Sequence, residues 1–148
     1  FVRALDPREA EEVYSLRLKL EPEAAARAAE RASDEDRAAA RVALAAFDAH
    51  PIGKDALAQL NRDFHLALVR PSELPLTVQL LERLFVLSDR YVRKHLEPQG
   101  RDERAISEHS ELLDLWLARD SAGVADAMRV HLEIALNDLR DQLAAVPV

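Results

Sequence analysis

The 148-residue chain has no cysteine, which excludes disulfides and thiolate metal ligands and suits a reducing, cytoplasmic setting. It has only 3 glycines and 5% aromatic residues. With Ala, Leu, Glu and Arg abundant, that scarcity favours helix over sheet. No apolar run approaches the roughly 18 residues of a membrane span, and no secretory leader pattern is present. The 20 basic residues form no Lys/Arg block and the formal net charge is -7, so this chain is not expected to carry a nucleic-acid surface itself. Methionine is scarce too: Met128 stands by itself and Phe1 opens the chain, from which we expect a fragment or processed product with a segment upstream.

What is present is a soluble composition, 49% hydrophobic and 32% charged, long enough for one domain over residues 1–148 with a real core. Asp6-Pro7-Arg8-Glu9 reads as a helix start, with Asp6 as cap and Pro7 in the first turn. This helix should run to about Lys19 with Val13, Leu16 and Leu20 inward, and Pro22 either kinks it or opens a second helix over Glu23–Ala32. Ser33-Asp34-Glu35-Asp36 is a capping-box pattern for a helix to about Ala49, followed by a turn at Pro51-Ile52-Gly53. A helix over Leu57–Val69 stops at Arg70-Pro71-Ser72.

From near Pro75 a long helix carries Leu80, Leu81, Leu84, Leu87, Tyr91 and His95 on one face, ending at Pro98-Gln99-Gly100. Asp102–Ala118 follows with a stripe of Ile106, Leu112, Leu113, Trp116 and Leu117. Asp120 or Ser121 caps the last helix, whose inner face is Val124, Ala127, Met128, Leu132, Ala135 and Leu139. The pattern predicts an all-α fold, an antiparallel bundle of six to seven helices around an internal metal or ligand cavity.

The chemistry lies in the helix over Leu57–Val69. Leu57, Leu60, Phe64 and Leu68 share one side at core-facing spacing, and Asn61 and His65 fall inside that stripe. His109 falls within the arc of Ile106, Leu113 and Trp116, and His131 lies mid-stripe on the last helix. A lone histidine on an apolar face is usually a satisfied core residue. Three of them from three helices make that reading less comfortable, because unpaired buried imidazoles are costly, and leave a shared divalent cation open beside it as an equal alternative. His50, beside Pro51, is expected to face solvent.

Arg17 lies inward between Leu16 and Leu20. It is either an i, i+4 ion pair with Glu21 or a fork for a ligand carboxylate. His95 either lines a ligand cavity or plays a core or helix-end role. Glu108 should face away from His109, and Asp63 away from the stripe. Tyr91 and Trp116 read as packing.

Phe1-Val2-Arg3-Ala4-Leu5-Asp6, Arg17-Leu18-Lys19-Leu20-Glu21, Asn61-Arg62-Asp63-Phe64-His65, Glu108-His109, and Asp120 leading into Ala127 and His131 resemble, in order and spacing, one family. It is the FCD-type effector-binding domain of GntR-family transcription regulators, of the metal-containing kind, and the likeness spans essentially the whole chain. In that family an acidic residue four before the first histidine joins three histidines around a divalent metal. The resemblance implies Asn61, His65, His109 and His131 as ligands, with zinc the leading candidate and nickel, manganese or iron open. Asn61 departs from the common aspartate, bringing an oxygen but no charge, so a weaker or more selective site and an anionic effector are expected. The likeness further implies a small organic acid effector in a cavity beside the metal, reached by Arg17 and His95. It also implies a homodimer, DNA contact only through a winged-helix domain upstream, and no enzymatic activity.

Two other readings are a metal-dependent hydrolase on a helical bundle and a structural domain without metal. Di-iron bundles need Glu-x-x-His, and Arg62, Ile106 and Met128 stand three before His65, His109 and His131. A three-histidine hydrolase lacks a clearly placed general base.

Overall fold

In the computed structural model, Asp6 Oδ1 accepts from the Arg8 amide at 2.9 Å and Pro7 takes the first helical position. Helix α1 then runs unbroken over Pro7–Arg31. The structure describes residues 6–49, 54–95 and 101–144, with side chains described for 6–49, 56–89 and 104–144. The other helices are α2 (Asp34–Ala49), α3 (Lys54–Val69), α4 (Pro75–His95), α5 (Arg101–Leu117) and α6 (Ser121–Ala144), with a 3₁₀ turn over Arg70–Ser72. Among the described residues there are six α-helices and no strand, as the composition predicts.

Pro22 does not divide α1. Proline removes one amide and crowds the carbonyl four residues earlier. Here the ring is itself buried, and Ala24, Ala25, Ala28 and Ala29 beyond it have no exposure at all. Side chains this small let neighbouring helices approach closely, and that packing outweighs one lost bond. α1 packs most extensively against α6 and also against α4, while α2 packs on α3 and α5, and α5 on α6.

The capping box at the start of α2 forms reciprocally: Ser33 Oγ accepts from the Asp36 amide at 3.1 Å and Asp36 Oδ2 from the Ser33 amide at 2.9 Å. Asp120 Oδ1 accepts from the Gly123 amide at 3.0 Å and so caps α6. A Cβ on Gly123 would meet that carboxylate at 2.4 Å, which is why a glycine suits the position.

The core is apolar, built on Phe47, Phe64, Leu68, Leu81, Phe85, Leu112, Trp116, Met128 and Leu132. Three residues expected inward are exposed instead: Leu16, Leu80 and Ile106. On α1 the buried positions are 10, 13, 14, 17, 21, 22, 24, 25, 28 and 29. The stripe therefore passes through Arg17 and Glu21 and leaves Leu16 on its flank. Pro51–Gly53 and Pro98–Gly100, read as turns, lie outside the described residues, as do Phe1–Leu5, His50 and the Tyr91 side chain.

α5 ends in a six-to-one and five-to-two bonded turn, Asp120 N to Leu115 O at 3.0 Å and Arg119 N to Trp116 O at 3.1 Å. Glycine usually takes the left-handed residue of this turn, but here it is Arg119, at φ 59. Its guanidinium explains the choice. It donates to Ala29 O at 3.0 Å, Glu30 O at 3.1 Å and Ala32 O at 2.8 Å, closing the carbonyl end of α1. We predict that Arg119→Ala lowers unfolding stability in urea by about 1–3 kcal/mol through the lost charged bonds. Arg119→Gly should lose less, since glycine accepts the positive φ and recovers roughly 1 kcal/mol.

Candidate metal centre

α3, α5 and α6 each deliver one imidazole to the same point. The ring centroids of His65 and His109 are 5.4 Å apart, of His65 and His131 5.2 Å, and of His109 and His131 5.0 Å. One nitrogen from each ring lies within 4.8 Å of the others. His65 and His109 are buried and His131 is half-buried. The helices hold these rings rigidly, because each histidine occupies a core-facing position with apolar neighbours, Phe64 and Leu68 on α3, Leu112 and Leu113 on α5, Met128 and Leu132 on α6.

His109 carries the chemical signal. It has no exposure, and neither ring nitrogen has a hydrogen-bond partner among the described residues. Phe47 and Phe64 flank it at 4.7 and 4.8 Å between centroids. A buried polar atom without a partner costs about 1–3 kcal/mol. A nitrogen lone pair facing two other imidazoles meets that cost if all three share a divalent cation, for which neutral imidazole is a favoured ligand. The donor set fits such an ion.

Burial pushes the basicity of His109 well below the ordinary histidine range, with the neighbouring His131 and His65 adding to it. His65 is lowered to about 4, burial outweighing the pull of the Glu21 carboxylate. Neither ring therefore offers a competing proton near neutrality.

Arg17 is buried, and the ion pair with Glu21 is what it forms. Nε donates to Glu21 Oε2 at 2.9 Å and Nη2 to Oε1 at 3.3 Å, while Nη1 reaches Ser88 Oγ at 3.3 Å. The guanidinium lies 4.7 Å over the Phe85 ring and 5.4 Å from that of Tyr14. Glu21, also fully buried, has Oε1 2.5 Å from His65 Nδ1. Burial by itself would raise its carboxyl, but Arg17 and His65 together hold it down at about 2.

Arg17 also lines a narrow cleft with Asn61, Arg62, His65, Phe85, Ser88 and Asp89. Asn61 is half-buried there, one turn before His65. Arg62 pairs with Asp89 across the cleft. His95 is the last residue of α4, and its side chain lies outside the described residues.

Glu108 corrects the expectation that it faces elsewhere. Its Oε1 lies 2.6 Å from His131 Nδ1, because α5 packs on α6 along the flank that carries Glu108. Arg104 braces it, with Nε 3.4 Å from Glu108 Oε2 and its other end on Asp138. Asp63 is exposed, as expected. Glu21 and Glu108 were legible only as an ion-pair partner and a neighbour of His109; the i, i+4 alignment of Glu21 with Arg17 on the inward face was the available signal.

Residues 12–134 match the family described as FCD domain. The chain belongs to the FCD domain family. It is an FCD domain of the type that GntR-family regulators carry. Over 83 residues it is 34% identical to the uncharacterized HTH-type transcriptional regulator BphR of Paraburkholderia xenovorans (strain LB400), a match covering 55% of this chain and 34% of that protein. Two crystal or solved structures share the fold. One is a GntR-family transcriptional regulator from Pseudomonas syringae pv. tomato str. DC3000, with TM-score 0.81 and 23% identity over 97% of this chain and 60% of that one. The other is McbR/YncC of E. coli, with TM-score 0.77 and 22% identity over 95% of this chain and 72% of that one. This FCD domain thus spans about a third of the curated relative it matches.

The two depressed imidazoles and Glu21 make the metal-free domain acid-sensitive. Unfolded histidines take up protons near pH 6.5, whereas folded His65 does so only near 4. Between those values the unfolded state binds more protons, so stability falls as pH falls through that window. Below about 4.5 Glu21 adds a second loss, continuing toward its folded value of about 2. Thermal melts in chelator should show Tm dropping by several degrees from pH 7 to pH 4, and a flat profile would contradict the burial of these groups.

Proposed function

We propose that this FCD domain is the ligand-sensing part of a bacterial transcription regulator, holding a divalent metal on His65, His109, His131 and Asn61. A small carboxylate effector would bind beside it along the cleft lined by Arg17, which is closed in this structure and must open to admit it. The observation that supports this most directly is His109, whose two nitrogens lie buried and without partners among the described residues, facing two further imidazoles. When bound, the cation supplies an electrophilic position that a carboxylate oxygen can ligate.

The chain's own groups do the rest. Three imidazoles and the Asn61 amide would put no negative charge directly on the ion, the Glu21 and Glu108 carboxylates standing one imidazole removed, so an anionic oxygen is the favoured further ligand. Arg17 and Arg62 place two guanidinium groups along the same cleft. Glu21 already occupies the Nε and Nη2 donors of Arg17, so an effector carboxylate meets the Nη1 side, where Ser88 Oγ stands. His95, at the end of α4, is a second candidate contact on the same reading.

Binding then matters only if the effector prefers one helix arrangement over another. That preference would be passed to a winged-helix DNA-binding domain upstream, in a homodimer acting in the cytoplasm. Among the described residues no helix is long and apolar enough to cross a membrane. The hydrolase alternative loses ground because the carboxylates nearest the triad, Glu21 and Glu108, are engaged by histidine and arginine.

The test is metal analysis of untagged protein purified without added metal, which should give near one equivalent of zinc, nickel, manganese or iron. Re-adding the metal to chelator-treated protein should raise Tm, and a panel of di- and tricarboxylates should contain one that raises it further, its stabilisation reaching about 2.7 kcal/mol at a hundredfold excess over Kd. Metal content near zero with no thermal shift would overturn the reading. His109→Leu should abolish metal retention while leaving the metal-free domain equally stable or up to about 2 kcal/mol more so, because the unpartnered nitrogens are gone.

A further inference from the structure

A neutral imidazole keeps its one proton on either nitrogen, and the protonated nitrogen cannot bind a metal. Which nitrogen is free therefore decides whether a histidine that points at a site can use it. His65 Nδ1 lies 2.5 Å from Glu21 Oε1, and His131 Nδ1 lies 2.6 Å from Glu108 Oε1. An ionised carboxylate can only accept, so each ring, in its neutral form, donates through Nδ1–H and keeps its lone pair on Nε2. Arg17 Nη2 lies 3.3 Å from the same Nδ1, a contact in which Nδ1 would have to accept, and the much shorter 2.5 Å approach of Glu21 Oε1 decides for donation. Guanidinium is also purely a donor, and the two groups are neighbours because both donate to Glu21 Oε1.

Each carboxylate is in turn fixed by an arginine: Glu21 by Arg17, Glu108 by Arg104. The same device is built twice from different helices, α1 standing behind a histidine of α3 and α5 behind a histidine of α6. His109 is treated differently, its ring held between Phe47 and Phe64.

We propose that Glu21 and Glu108 are positioning residues of the metal centre, each holding its histidine in the Nδ1–H tautomer so that Nε2 faces the shared cation. This rests on the metal reading above. Outer carboxylates of this kind orient metal-binding histidines and raise their basicity, and their loss typically weakens metal binding 10- to 100-fold.

Glu108 gives the cleaner test, because removing the buried Glu21 also strands Arg17. The variants are Glu108→Ala, Glu108→Gln, which keeps an accepting oxygen and the side chain's shape, and Glu111→Gln. Glu111 lines the same groove between α5 and α6 as Glu108 and His131, so it removes an equal charge. In metal-free wild type, ¹⁵N–¹H spectra of the histidine rings should show His131 protonated on Nδ1. Glu108→Ala should give a mixture of tautomers, and Glu108→Gln should restore the wild-type form.

Zinc competition against a chromophoric chelator should show roughly 10- to 100-fold weaker binding in Glu108→Ala, a smaller loss in Glu108→Gln, and no change in Glu111→Gln. Equal weakening by Glu111→Gln and Glu108→Ala, or a wild-type His131 protonated on Nε2, would overturn the proposal. Failure of the wild type itself to take up zinc would instead overturn the metal reading and carry this one with it.

Discussion

A carboxylate with no exposure to water, Glu21, stands between the guanidinium of Arg17 and the imidazole of His65, and the site depends on its staying charged. Burying an ion pair is expensive, and well-packed apolar residues of similar volume often serve stability as well or better. The pair is therefore poorly explained as a stabilising device. It is better explained by what it faces. An ionised Glu21 dictates the proton position on His65, and only a nearby permanent cation keeps Glu21 ionised in so dry a place. Arginine serves where lysine would not, since two of its donors bind the two carboxylate oxygens in a fixed plane. Because residues 17 and 21 are one turn apart on α1, that plane is set by a single rigid helix.

The other helices are tied together close to their functional residues. Trp116, two turns beyond His109, donates its indole N–H to Leu68 O at 3.0 Å, one turn beyond His65. That carbonyl belongs to the last turn of α3, where helix geometry leaves acceptors without intrahelical partners. A side chain expected to do no more than pack therefore also fixes α5 against α3. Arg119 plays the corresponding part for α1, closing its carbonyl end from the turn that joins α5 to α6. The two helices bearing His109 and His131 are thereby anchored to the helix bearing Arg17 and Glu21. The alanine surface of α1 allows α6 to lie close enough for this.

Much of this was legible in the residue pattern, and the exceptions share a cause. Ser33 and Asp36, Asp6 and Pro7, and Asp120 act locally, within one turn, so spacing reveals them. His65, His109 and His131 were legible because each interrupts an apolar stripe, an anomaly that periodicity exposes. Leu16 was misplaced because the true buried stripe of α1 runs through charged Arg17 and Glu21, and hydrophobicity points away from such positions. Pro22 was over-read as a break because its local penalty is visible in sequence while the packing of Ala24–Ala29 is not. Glu108 was misjudged for a related reason: its partner His131 is 23 residues away on another helix. The family likeness predicted four ligands and an arginine, but not the carboxylates that orient them.

The centre is unsymmetrical, and the asymmetry bears on how it can take up a cation. Metal ions compete with protons for imidazole, so a site in water loses affinity as soon as its histidines begin to titrate. Burial removes that competition for His65 and His109 by making their charged forms unfavourable, whether or not an ion is present. Such burial would also leave the rings free to turn the wrong nitrogen inward. Glu21 prevents this for His65 and Glu108 for His131, while the aromatic walls on His109 restrict its ring without committing either nitrogen. The unmet bonding of His109 is then a cost carried by the metal-free fold, of the order of 1–3 kcal/mol for each dry nitrogen, and on the metal reading a cation shared by the three rings would relieve it at one of the two. A fold optimised for stability alone would put leucine or phenylalanine there, as it does at the neighbouring core positions. Keeping an imidazole with both nitrogens dry is the compromise expected at a site whose purpose is to bind.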